Sequence, residues 1–288
     1  MHEILDLCTS SLTASDPRQP PTDRPSRTAA QASRATSASG TGCLPGLSTQ
    51  AHGYITVADD AQLATENSNQ QGWEAAVTST IDPPPYQMTG GNHVFVGVVW
   101  DEPAIRTALP SGVRPVAGMT GGINVYQVAQ GHVIGPYQSA YLWVDVEGYD
   151  AAPAMPARWM LAGVYGPDPK TAKALSQYYN LPVRIGSSRF ESTAQGKRAI
   201  ATLNGRDILN VEIESRSDDG SVGTFLLHYL SQLAPNGELI VNQIPGVART
   251  REAEVIAVSI DAPSGDLFAS FPIKQTAWAV EVLDGSYS

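Results

Sequence analysis

From Pro83 onward the chain falls into short runs in which large apolar residues alternate with polar or small ones. They are HVFVGVVW, INVYQVA, SAYLWVDVEG, RAIATLNG, ILNVEIES, GTFLLHYL, ELIVNQIP, AEVIAVSID and AWAVEVLDG. A period of two, rich in β-branched and aromatic residues, marks strands with one face on a core. Gly, Pro, Asn and Asp punctuate the runs where turns need them. Two segments carry helical spacing instead. DEPAIRTALP has Pro103 near its first turn, and DPKTAKALSQYY opens on Asp168 as a cap with Pro169 at the first helical position. GMTGGINV reads as a hairpin turn, and no internal repeat is found. The pattern predicts a mainly β (α+β) domain over residues 81–288, an antiparallel β-barrel or sandwich with a few short helices.

The N-terminal part differs. Residues 1–50 are rich in Ser, Thr, Ala, Pro and Arg and poor in large apolar side chains, so burial cannot offset the entropy of ordering them; a disordered tail is expected. Residues 51–80 are transitional, with a possible helix around Trp73. The first residues, MHEILDLCTSSL, lack a cationic start and do not read as a secretory signal.

Composition narrows the classes. Hydrophobic residues make up 42% and charged residues 16%, enough for a substantial core. A formal net charge of -10 argues against nucleic acid, which needs a basic face. No apolar run approaches the roughly 20 residues of a membrane span, so a cytoplasmic protein is expected. Cys8 and Cys43 both precede the strand-rich part, which excludes a disulfide framework or a cysteine zinc site there. No phosphate-binding loop, HExxH, GxSxG or CxxC is present, the five histidines are dispersed, and no cofactor or metal is expected. The lysines are Lys170, Lys173, Lys197 and Lys274.

One ordered series of phrases carries more. PPPY and a strand lead to WDEPAIRTALPSGVRP, then GPYQSAYLWVDV, DPKTAKALSQYYNLPVRIG, ELIVNQIPGVARTREAEVI and FPIKQTAWAVEVLDGSYS. This order resembles the acetoacetate decarboxylase-like superfamily from Pro83 to the C-terminus. The resemblance implies that family's β fold. It also implies a site in which a lysine after a Gly-aromatic-Pro turn forms a Schiff base with a β-keto acid. That lysine must be neutral to attack, and neighbouring charge and desolvation lower its pKa. Here the matching turn is Asn180-Leu181-Pro182, the lysine position is Val183, and Arg184 stands where a second lysine would. Arginine stays protonated and cannot form an imine. The family's acidic positions align with Ser139, Asn124 and Gln177, and its arginines with Ser176 and Gly91. Pro245, Arg251 and Glu254 match a late strand phrase and read as scaffold.

Alternation then gives a lining. If Ser139 faces inward, so do Tyr137, Tyr141 and Trp143; if Asn124 does, so does Tyr126. Tyr86, Tyr178, Leu181, Val183 and Arg184 complete the expected substrate-binding set, with Asn124, Ser139, Tyr141 and Gln177 as the expected catalytic groups. Trp143 and Tyr126 fit ordinary core packing equally well. The expected site is aromatic, largely uncharged and suited to an apolar small molecule. The expected activity is that of an enzyme of specialised, polyketide-like metabolism. It would cyclise, isomerise or dehydrate a bulky apolar substrate without a lysine Schiff base, and the chain would be a homo-oligomer. A non-catalytic binding protein, and a β-keto acid decarboxylase using Lys274 or a non-covalent route, are the alternatives.

Overall fold

The computed structural model describes residues 81–216, 219–232 and 237–288. The expected tail, the transitional segment and the two cysteines lie outside the described residues. Strands dominate: β1 (Met88–Trp100), β2 (Thr120–Gly131), β3 (Tyr137–Val146), β4 (Ala157–Gly166), β5 (Val183–Ile185), β6 (Ser187–Ser192), β7 (Lys197–Leu203), β8 (Arg206–Ser215), β9 (Ser221–Gln232), β10 (Leu239–Ile260) and β11 (Ile273–Tyr287). Helix α1 (Glu102–Ala108) carries its proline in the first turn, as expected. In α2 (Pro169–Tyr179) the Asp168 side chain accepts from Lys170 N at 2.8 Å, and Asn180 closes the helix in the left-handed region (φ 48°). No described helix is long and apolar enough to cross a membrane.

The strands form one sheet in the order β11-β1-β2-β3-β4-β9-β10-β8-β7-β6, with β5 beside β4. The N-terminal part of β10 pairs with β9. Its middle, Gly246–Ala253, returns to β11, so seven strands pair in a circuit. One link of that circuit, parallel β4–β9, holds only the pairs Arg158–Tyr229 and Trp159–Leu230. The result is a curled sheet rather than a true barrel. Beyond Ala253, β10 leaves the circuit and pairs with β8, which continues into β7 and β6. This wing folds back over the outside of the curl, where the Ser188 hydroxyl donates to Tyr126 O at 2.8 Å.

Two cores result, one on each face of β1–β4. The outer core lies under the wing and is aliphatic: Val94, Val96, Ile123, Val125, Leu142 and Val144 meet Ala199, Leu209, Val211 and Ile213. The inner core lies within the curl and is aromatic, with α2 packed against it. β2 and β3 are buried on both faces for this reason. GMTGGINV is a turn only in its first half. Gly121 and Gly122 lie inside β2, and a Cβ on Gly122 would meet the Trp143 ring at 2.3 Å, so glycine there makes room for an indole.

Candidate functional site

The inner face is built strand by strand from the alternation. β2 supplies Asn124 and Tyr126, and β3 supplies Tyr137, Ser139, Tyr141 and Trp143, all buried as expected. β1 adds His93 and Phe95, β9 adds Tyr229, and β11 adds Tyr287. His93 stacks between Tyr126 (4.6 Å between ring centres) and Phe95 (5.3 Å). Tyr126 meets Tyr137, Tyr141 and Tyr165 edge to face at 5.6–6.3 Å.

β4 breaks the alternation. Leu142 pairs with Ala162 and Trp143 with Met160, which leaves Leu161 as an extra residue. A bulge of this kind changes which face the following residues take. Tyr165 and Met160 both join the inner core, although they are five residues apart. Arg158 shares the face of Met160. Its guanidinium lies over the Trp143 ring at 4.4 Å, and Nη1 donates to Tyr229 OH at 3.2 Å.

A continuous polar chain crosses this aromatic interior. Tyr287 OH lies 2.9 Å from His93 Nε2, and His93 Nδ1 lies 3.2 Å from Asn124 Nδ2. The same amide nitrogen donates to Tyr141 OH at 3.1 Å, and Tyr141 OH is 2.5 Å from Tyr229 OH. Asn124 Oδ1 and Ser139 Oγ are buried and meet no hydrogen-bond partner. Burial depresses the His93 imidazole to about 3, against the smaller pull of its Asn124 hydrogen bond, so the ring is neutral near pH 7. Burial raises the phenols of Tyr126, Tyr137, Tyr141, Tyr165 and Tyr287 well above their ordinary value, so each of these is an O–H group at neutral pH. For Arg158, burial opposes the charge, but Tyr229 and Tyr141 favour it and hold the guanidinium above its usual value.

Other expected site residues sit at the margin of this group or outside it. Tyr86 and Tyr178 join the inner core at the end covered by α2, where Tyr178 OH donates to Ile81 O at 2.6 Å and Tyr86 OH to Asp82 O at 2.9 Å. Leu181 and half-buried Val183 pack against the same core, with Val183 paired to Gly163. Gln177 does not join them. It lies on the exposed face of α2 beside exposed Ser176, because the helical turn that buries Ala172 and Ala174 carries both residues away. Arg184 is also misplaced by the expectation. One residue after Val183 it takes the opposite face and forms a two-pronged ion pair with Asp266 (2.7 and 2.9 Å) over the Phe268 ring.

Among the lysines, Lys274 pairs with Asp101 at 3.2 Å on the surface, and Lys197 pairs with Glu281 on the outer side. Lys170 is half-buried and donates to Val133 O at 2.5 Å. The expectation of a largely uncharged interior is therefore corrected by Arg158, which the sequence pattern missed together with His93, Tyr165, Tyr229 and Tyr287. His93 and Tyr229 were within reach of alternation, two residues from Phe95 and Leu227. Arg158 was hidden by the bulge.

These features define a class: a mostly antiparallel curled sheet with a polar-aromatic interior and one helix packed against it. No family model matches the sequence, and no curated protein matches it. Solved structures do. An acetoacetate decarboxylase is 10% identical, with a TM-score of 0.54 over 72% of this chain and 88% of that one. The acetoacetate decarboxylase of Legionella pneumophila is 8% identical, with a TM-score of 0.55 over 80% of this chain and 95% of that one. The enduracididine biosynthesis enzyme MppR, complexed with the condensation product of pyruvate and imidazole 4-carboxaldehyde, is 13% identical, with a TM-score of 0.54 over 73% and 89%. The chain has the acetoacetate decarboxylase-like fold.

Proposed function

We propose that this protein is an enzyme of specialised metabolism that holds an apolar carbonyl compound against the inner face of the curl. It would promote cyclisation, isomerisation or dehydration without forming an imine. The observation that carries this reading is the pair of buried, unpartnered polar atoms, Asn124 Oδ1 and Ser139 Oγ, inside a shell of aromatic rings. Leaving a buried polar group unpaired costs about 1–3 kcal/mol, and a ligand hydroxyl or enol would relieve that cost. The aromatic walls would hold a reactive conformer, Asn124 Oδ1 would accept from its hydroxyl or enol, and the Ser139 hydroxyl would donate to its carbonyl. Valine at the position the resemblance gives to the lysine, with Lys197 and Lys274 paired elsewhere, argues against Schiff-base decarboxylation. MppR, of like fold, supports a role in biosynthesis.

Close packing of the rings, with His93 held between Phe95 and Tyr126, favours a second reading: a binding protein that keeps the aromatic interior and does no chemistry. A panel of β-polyketone and aromatic polyketide-type compounds separates the two. Mass spectrometry should show turnover with mass unchanged or one water lost, and Ser139→Ala should slow it about a hundredfold. Ligands that bind but are altered no faster than in buffer would establish the binding protein instead. Borohydride should trap no covalent adduct with a β-keto acid; a trapped lysine adduct would overturn the imine-free mechanism.

A further inference from the structure

The one amide of the inner chain fixes the direction of the two hydrogen bonds it makes. Asn124 Nδ2 has two protons to give and accepts nothing. One proton goes to His93 Nδ1 at 3.2 Å and the other to Tyr141 OH at 3.1 Å. Tyr141 and Tyr229 share a hydrogen bond at 2.5 Å that either hydroxyl can give. Arg158 Nη1 donates to the Tyr229 oxygen at 3.2 Å. With the amide donating to Tyr141 and Arg158 to Tyr229, the phenol pair keeps one O–H proton that meets no acceptor among the described residues. Hydrogen bonds in series polarise one another, and the Arg158 charge lies against the Tyr229 end of the pair, so a free O–H there is a strong donor.

The charge behind this phenol is not spent elsewhere. Arg158 forms no ion pair among the described residues. Asp145 faces it in strand register but accepts from Trp143 Nε1 at 3.0 Å and from Thr120 Oγ1 at 2.8 Å. Arg158 is half-buried, so buried Tyr229 adjoins a partly accessible cation, whereas Asn124 and Tyr141 lie deeper in the chain.

We propose that Tyr229 is a catalytic residue whose hydroxyl donates to the ligand oxygen on which negative charge builds, a carbonyl becoming an enolate or a phenolic oxygen. Arg158 and Tyr141 steady the phenol as it does so. The contact is a hydrogen bond; no covalent bond is made and the proton stays on Tyr229. This rests on the inner face being the ligand site and adds the chemistry of the ligand oxygen and the group that meets it.

para-Nitrophenol, coloured only as its phenolate, is the probe, titrated into the full chain at a pH where both of its forms are present. The wild-type protein should bind the phenolate in preference to the phenol. Tyr229→Phe, which keeps the ring and removes the donor, should weaken phenolate binding about ten- to a hundredfold and leave phenol binding little changed. Arg158→Gln, at a half-buried position, should lower the same preference and serves if Tyr229→Phe does not fold. Saturable binding with no preference for the phenolate, or a preference that survives in both variants, overturns the role of Tyr229 while the inner face stands as the site. No saturable binding to the wild-type chain overturns both.

Discussion

The two faces of β1–β4 bury comparable strands in opposite ways. On the outer face the one deeply buried charge among the described residues is fully answered. Glu281 accepts from Arg251 Nε at 2.7 Å and Ser215 Oγ at 2.6 Å, and it pairs with Lys197. Around it lie aliphatic side chains that need no partner. On the inner face a guanidinium has one phenol and the faces of aromatic rings but no carboxylate hydrogen bond, and an amide oxygen and a hydroxyl meet no hydrogen-bond partner. A fold built for stability alone satisfies or removes such groups. The outer face is scaffold, and the inner face keeps unmet polarity where a ligand can use it.

The sharpest break of this comparison is on the outer side. Burial pushes the Glu281 carboxyl up, but hydrogen bonds from Lys197, Ser215 and Arg251 pull it below the usual carboxylate range. Glu281→Gln leaves two cations without their partner and should cost about 3–5 kcal/mol in urea unfolding, with ligand affinity unchanged. A loss below about 1 kcal/mol would mean that the outer network is not the anchor described.

Next in size is the effect of acid on the inner face. His93 has a folded value of about 3 against 6.5 for the free group. Between these values the unfolded chain binds a proton that the folded chain refuses. Stability should therefore fall as pH drops through this window, by up to about 1.4 kcal/mol per pH unit, and the full loss is reached below the folded value. Glu281 adds to acid loss only at the lower end, so the comparison is with His93→Gln, whose curve should be flatter between about pH 4.5 and 6.5. Parallel curves for the two proteins would contradict a buried neutral imidazole.

Val183→Lys tests whether β5 belongs to the inner wall. An ammonium placed against the aromatic core, with no carboxylate given to it, should cost about 1–3 kcal/mol at neutral pH and weaken ligand binding. Desolvation lowers the pKa of such a lysine, so the penalty should shrink as pH rises toward about 10. A variant as stable as wild type and equal in ligand affinity would place residue 183 in solvent.

The smallest effect is the most diagnostic of the contrast. Ser139→Ala removes an unpartnered hydroxyl and should leave the free protein as stable as before, or up to about 1 kcal/mol more stable. Ser215→Ala, which takes a donor from Glu281, should cost about 1–2 kcal/mol. Equal losses in thermal unfolding would erase the distinction between the faces.

Much of this was legible in the sequence because strand alternation is a local rule. Asn124 and Tyr126, and Ser139, Tyr141 and Trp143, share a face by spacing of two, and the structure puts them there. The Asp168 cap and Pro103 marked the helix starts, and the order of the strand phrases pointed to the fold. The same rule could not reach Arg158. Counting back by twos from Tyr165 sends residue 158 outward, and only pairing with β3 shows that Leu161 is extra and that Arg158 faces in. Gln177 and Arg184 went astray for a related reason: a helix face and a three-residue strand are oriented by what they pack on, Ala172 and Ala174 in one case and Asp266 in the other. The sequence by itself determined which residues alternate. Only the tertiary structure decided where the alternation slips, how β10 turns back to β11 to enclose an inner face, and which polar groups meet across that face, because each depends on a partner distant in the chain.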